Sequence, residues 1–310
     1  MTAQPMVRVT GLTRALGTLI AVDELTFDVR EGELFGLVGP DGAGKTTTLR
    51  MLAGVLRPTS GDAILHDISI AADPEAVKPH LAYMSQRFGL YSDLTVRENL
   101  HFYADLFRVP RGERARRLER LYAFSNLREF EDRLVGNLSG GMKQKLGLSC
   151  ALIHQPRILL LDEPTFGVDP ISRRDLWLIV HEMVAEGVTV LVSTAYMDEA
   201  ERFDRLALMH NGRALAIDTP RALQAQVEGE LVSVEVDRLR AAEALLRRQQ
   251  SVRRVAVFGD KLHVMARAGG ALTALPALLE SSGFTVSSIE SIEPSLEDVF
   301  IDRIAAAEAA

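Results

Sequence analysis

The stretch "GPDGAGKTTT", Gly39–Thr48, decides the fold. It satisfies G-x-x-x-x-G-K-[ST], with Gly39, Gly44, Lys45 and Thr46 at the fixed positions. The apolar run "LFGLV" precedes it and the helix-like "TTTLRMLAGVL" follows, which is the strand–turn–helix setting such a loop requires. Glycines let the backbone close around phosphate oxygens, and the helix start adds N–H donors and a positive dipole end. Gly39, Pro40, Asp41, Gly42, Ala43, Gly44, Lys45, Thr46 and Thr47 therefore form a candidate phosphate cradle. Within it Lys45 offers a point charge to the β- and γ-phosphates, and Thr46 a hydroxyl for Mg²⁺.

Two more stretches acquire meaning beside this loop. "RILLLDEPT", Arg157–Thr165, carries four apolar residues into Asp162 and Glu163. Alone it reads as a buried strand ending in an acidic turn. Downstream of a phosphate loop, the strand delivers Asp162 to the Mg²⁺ shell at the carboxyl edge of a sheet. Glu163 is then the candidate general base for an attacking water. "LSGGMKQK", Leu138–Lys145, sets a serine and two glycines before the helix "MKQKLGLSCALI". That is a second place suited to an anion. One chain with one phosphate loop has no use for it unless it serves another nucleotide.

The rest of the chain sorts by texture. Short strand-like runs occupy the region up to about Asn99, and a helix-like segment spans about 88–152. Strands alternating with helices return after it, implying a parallel sheet covered on both faces. From about Glu228 the order reads βαββαβ, a ferredoxin-like α+β module, closed by the helix "PSLEDVFIDRIAAAEAA" with Ser295 as its N-cap. The expected domains are 1–227 and 228–310. Composition is that of a globular protein, with 47% hydrophobic and 25% charged residues among 310. The net charge of -7 argues against a nucleic-acid partner held through phosphates. A single cysteine, Cys150, fits a reducing compartment, and the N-terminus lacks a signal-peptide core. No apolar run reaches membrane-spanning length, so any membrane part is expected on another chain. The arginines Arg111, Arg114, Arg116, Arg117 and Arg120 read as a solvated helix face, and the seven histidines show no metal-ligand spacing.

With the phosphate loop, the Asp-Glu strand and "LSGG" in this order, residues 6 to 225 resemble the ATP-binding subunits of ABC transporters. "FGLYSDLTVRENLHFYADLF" and "VDPISRRDLW" resemble bacterial exporters of the multidrug or antibiotic-resistance type, and the chain is similar to the first cassette of tandem drug-exporter ATPases. The resemblance implies an α/β P-loop ATPase core with an inserted helical subdomain, and ATP and Mg²⁺ as ligands. It implies a second cassette and a separate ABC-type membrane permease as partners, with the chain cytoplasmic and peripheral at the inner face of the membrane. In such pairs each ATP lies between one cassette's phosphate loop and the other's signature loop. Leu138, Ser139, Gly140, Gly141 and Gln144 would thus contact the partner's ATP. Gln86 would reach Mg²⁺ or the water and report to the permease, and Asp169 would speak across the dimer.

Two positions depart from the family pattern. At the end of "VLVST" a histidine is expected and Ala195 stands there. Where an aromatic usually covers adenine, Leu16 stands. Alanine donates no hydrogen bond, so binding should persist while hydrolysis is slow. An asymmetric pair with a competent partner and a slow homodimer both remain open. So do a soluble ABC ATPase of translation or DNA repair, and a nucleotide-gated regulator with little turnover.

Overall fold

The computed structural model describes residues 5–86, 89–267 and 270–309. The chain forms two compact units, Met1–Asp218 and Thr219–Ala310. They meet at Asp218/Thr219 rather than at 227/228, because Thr219 opens a short helix that packs within the second unit. The outer limits 1 and 310 of the expected domains, and the expected start of the helical insertion at 88, lie outside the described residues.

The first unit runs β1 (Val7–Leu16), β2 (Leu19–Val29), β3 (Leu34–Val38), α1 (Lys45–Leu52), β4 (Ser60–Leu65), β5 (Ile68–Ser69), α2 (Pro74–Val77) and β6 (Leu81–Met84). The helical segment follows as α3 (Val96–Leu106), α4 (Arg111–Ser125) and α5 (Gly140–Leu152). It continues β7 (Ile158–Asp162), α6 (Pro170–Ala185), β8 (Thr189–Thr194), α7 (Met197–Ala200), β9 (Arg205–His210) and β10 (Arg213–Asp218). A six-stranded sheet has the order β10-β9-β3-β8-β7-β6. Its strands from β9 to β6 pair in parallel, and β10 closes one edge antiparallel. β3, β7 and β8 are buried along their whole length, which is why they read as unbroken apolar runs. A second, antiparallel sheet has the order β2-β1-β4-β5.

Helix starts in the insertion are set by side chains. Thr95 and Glu98 form a reciprocal capping box at α3. Asn99, fully buried, accepts from Tyr91 N at 2.9 Å and donates to the Tyr91 and Thr95 carbonyls. The arginine face of α4 is less free than its composition suggests. Arg114 donates to the Val109 carbonyl at 2.9 Å, Arg117 to the Ile153 carbonyl at 2.9 Å, and Arg120 pairs with Glu186. These contacts tie α4 to its neighbours, while Arg111 and Arg116 remain exposed. Trp177 and Cys150 are core residues, and burial pushes the Cys150 thiol well above its ordinary range.

The second unit runs α8 (Pro220–Ala225), β11 (Glu230–Val236), α9 (Leu239–Leu246), β12 (Val252–Phe258), β13 (Lys261–Ala266), α10 (Ala271–Ser281), β14 (Val286–Ser291) and α11 (Leu296–Ala309). Its antiparallel sheet has the order β12-β13-β11-β14, the ferredoxin-like arrangement. Val234, Leu246, Leu262, Val264 and Leu279 anchor a separate core. Ser295 caps α11 by accepting from Asp298 N at 3.2 Å. Asp298, fully buried, accepts from Ser295 N at 3.1 Å and lies 3.0 Å from His263 Nδ1. Among the described residues no helix is long and apolar enough to cross a membrane, and no three or more His, Cys, Asp or Glu side chains cluster as a metal-holding group.

Candidate nucleotide site

The parallel sheet brings the motifs to one edge. β3 ends at Val38 and runs into the phosphate loop, and its neighbour β8 ends beside it with Val38 opposite Thr194. On the far side of β8 lies β7, with Asp162 opposite Ser193, and then β6. The loop enters α1 through Gly44, whose φ of +98° is left-handed. A side chain there would meet the Ala21 carbonyl at 2.5 Å, so glycine is required twice over.

Lys45 is 4% exposed. Its ammonium donates to the Gly39 and Pro40 carbonyls at 2.7 and 3.0 Å and lies 3.3 Å from Glu163 Oε1. Asp162, also buried, accepts from Thr46 Oγ1 at 2.9 Å and from Ser193 Oγ at 2.7 Å. Tyr83 Oη donates to its other oxygen at 3.2 Å. Burial, and then the Asp162 carboxylate, push the Tyr83 hydroxyl up to about 12, so it remains a donor at neutral pH. Two ligand oxygens adjacent on a Mg²⁺ octahedron of about 2.1 Å bonds stand roughly 3 Å apart. The Thr46–Asp162 pair has that spacing, in an all-oxygen donor set that suits a hard cation.

Glu163 stands at φ +49°, a left-handed conformation that costs a non-glycine residue about 1 kcal/mol. Its N–H is held by the Ser193 carbonyl at 3.1 Å and the Ser193 hydroxyl at 3.0 Å. Gln86 Nε2 donates to Glu163 Oε2 at 3.2 Å. The loop, Gln86 and Glu163 line an open cleft of about 590 Å³. Leu16, Leu19 and Ile20 form its apolar wall, at 47%, 64% and 49% exposure. Ala195 follows β8 directly and is exposed.

Ser139 caps α5 by accepting from Met142 N at 3.2 Å. A Cβ on Gly141 would come 2.2 Å from Ser172 Oγ and 3.3 Å from Asp169 Oδ2, so the signature helix leans on the start of α6. Asp169 caps α6, accepting from Ile171 N at 3.1 Å and Ser172 N at 3.0 Å. The Ser172 contacts, first of all, hold its carboxyl below the usual range. None of Leu138, Ser139, Gly140, Gly141, Gln144 and Asp169 lines the phosphate-loop cleft. Sequence reasoning missed Ser193 and Tyr83. Both sit at strand ends beside Asp162, and only the strand order reveals them as its neighbours.

Residues 22–166 match the "ABC transporter" family model, and residues 219–304 match the "ATP-binding protein DrrA1-3-like, C-terminal domain". The "Probable multidrug ABC transporter ATP-binding protein YbhF" of Escherichia coli (strain K12) is 51% identical over 209 residues, 67% of this chain and 36% of that protein. The chain therefore spans about a third of that relative's length. The "Nod factor export ATP-binding protein I" of Ralstonia nicotianae is 36% identical over 300 residues, covering 96% of this chain and 93% of that one. The "Daunorubicin resistance ATP-binding protein DrrA2" of Streptomyces coeruleorubidus is 35% identical over 309 residues, covering 95% and 94%. Among solved structures, an ATP-binding subunit of an ABC transporter superposes with a TM-score of 0.65 at 31% identity, over 71% of this chain and 92% of that chain. The fold and the edge-of-sheet site define a P-loop ATPase cassette. This chain belongs to the ABC transporter ATP-binding protein family and carries a DrrA-like C-terminal domain.

Proposed function

We propose that the chain binds and hydrolyses ATP to drive an exporter of drugs or other small hydrophobic molecules through a separate membrane permease. The observation that carries this is the joined arrangement Lys45–Glu163 and Thr46–Asp162–Ser193 at one sheet edge. Lys45 and the loop amides take the β- and γ-phosphates, and the aliphatic wall at Leu16, Leu19 and Ile20 takes the adenine face. Thr46 and Asp162 would hold Mg²⁺, with Gln86 beside them, and the cation would neutralise charge on the phosphates. Glu163 accepts the proton of the attacking water. Ala195 offers no hydrogen bond to the γ-phosphate, so turnover is slow.

The signature residues lie away from this chain's own cleft, which favours a second cassette whose ATP they complete. A groove of about 340 Å³ is lined by Val55, Tyr83, Ser85, Tyr103 and Phe107. It suits a segment of the permease and would place the chain at the inner face of the membrane. The names of the relatives speak of a multidrug transporter, of Nod factor export and of daunorubicin resistance, which favours this reading over a soluble translation or DNA-repair ATPase.

The test is steady-state ATP hydrolysis by the purified full chain, beside ATP binding. Lys45→Ala should lose binding, and Glu163→Gln should keep binding and lose turnover. Turnover unaffected by Glu163→Gln would overturn the assignment of the base. Binding without any turnover, unchanged by Glu163→Gln, would favour the regulatory alternative. Analytical ultracentrifugation with ATP separates a homodimer from a chain that waits for a different cassette.

A further inference from the structure

A buried carboxylate outside every motif joins the two turns that frame the reaction. Glu199, on the single-turn helix α7, is 1% exposed. Thr165 Oγ1 donates to its Oε1 at 2.7 Å, and Trp177 Nε1 to the same oxygen at 3.3 Å. Thr194 Oγ1 donates to Oε2 at 2.8 Å. Arg173 Nε lies 3.6 Å from Oε1. An isolated buried carboxylate is costly, and this one is offset by three hydrogen bonds and a guanidinium drawn from three segments.

The partners decide what the cluster does. Thr165 lies two residues beyond Glu163, in the turn closed by Phe166 N to the Glu163 carbonyl at 3.1 Å. That turn carries the left-handed backbone at Glu163, a conformation that persists only where the surroundings impose it. Thr194 immediately precedes Ala195. Its hydroxyl accepts from Tyr196 N at 3.0 Å while donating to Glu199, and its carbonyl accepts from Gly39 N at 3.2 Å. Trp177 and Arg173 belong to α6, which begins at the Asp169 cap. One carboxylate therefore ties the Glu163 turn, the turn at Ala195 and the α6 helix into a single body.

We propose that Glu199 is a positioning residue for ATP hydrolysis, holding the Glu163 turn and the strand-end turn at Ala195 in one fixed relation. The proposal rests on the reading that this chain hydrolyses ATP with Glu163 as base. Where the strand end contributes no side-chain donor, placement of Glu163 carries more of the chemistry, and a displacement of about 1 Å can cost 10²-fold in rate.

The experiment uses the full chain with ATP and Mg²⁺, comparing wild type, Glu199→Gln and Glu199→Ala. Equilibrium ATP binding, kcat and KM, and hydrogen exchange of the amides at 163–168 are measured. Glu199→Ala should leave ATP affinity within about threefold and lower kcat about 10²-fold. Glu199→Gln, which keeps an acceptor for Thr165 and Trp177, should lose roughly tenfold. Exchange at 163–168 should accelerate in Glu199→Ala while the Val38–Thr46 segment stays as in wild type. Unchanged kcat in Glu199→Ala would overturn the proposal. Parallel loss of binding, turnover and protection throughout the chain would also overturn it, since Glu199 would then be a core residue only. If wild type binds ATP but does not turn it over, the hydrolysis reading fails by itself. The exchange data then decide the clamp: local acceleration at 163–168 upholds it, and an unchanged pattern removes it.

Discussion

We propose that Ala195, which follows β8 directly, leaves this cassette without a side-chain donor to the γ-phosphate. Thr194 and Tyr196 are hydrogen-bonded on either side of it, which fixes the turn. Ala195→His places a donor at an exposed strand-end position without disturbing packed neighbours. It is expected to raise kcat, by up to about 10²-fold, with little change in ATP affinity, as read by steady-state hydrolysis beside equilibrium binding. A second residue-scale expectation concerns His154. Its Nε2 donates to the Leu81 carbonyl at 3.1 Å, and its ring stacks on Phe107. Burial, more than the nearby Arg117, holds it below its ordinary value of 6.5. The unfolded chain therefore takes up a proton near pH 6.5 that the folded chain resists. Its stabilising contribution is complete above that pH and is lost as the pH falls below it. Tm should drop between pH 7 and 5.5, and His154→Gln should flatten that part of the profile.

At the scale of elements, α5 and α6 approach each other closely. Gly141 presses on Ser172 so closely that a single methyl has nowhere to go. Gly141→Ala is expected to destabilise the chain by about 1–3 kcal/mol. Adding Ser172→Gly should recover part of that, a coupling measurable as a double-mutant cycle in urea. The elements themselves were largely legible in the sequence. The runs "LFGLV", "ILLLD" and "TVLVST" announce buried parallel strands, and the βαββαβ order of the second unit follows from its alternating texture. Thr46, Asp162 and Lys45 were legible because phosphate and cation chemistry restricts which residues can stand there. Ser193, Tyr83 and Glu199 were not, because serine, tyrosine and glutamate are ordinary at strand and helix ends. Their role depends on which strand lies beside which. The arginines of α4 looked solvated because charge patterning cannot show the carbonyls at Val109 and Ile153 that three-dimensional packing supplies.

The whole molecule divides at Asp218/Thr219 into units with separate cores. Residues 219–310, expressed alone, should unfold cooperatively, checked by circular dichroism and one-dimensional NMR dispersion. The order of strands in the larger unit has a kinetic side. β3 and β7, which carry the phosphate loop and Asp162, are never neighbours, because β8 lies between them. A nascent chain therefore leaves the facing edges of β3 and β7 unpaired until residues 189–194 arrive to fill the gap between them. Pairings across such sequence distances are slow and leave those edges open to aggregation in the meantime. During synthesis the phosphate loop and Asp162 therefore cannot be set side by side until β8 has been made.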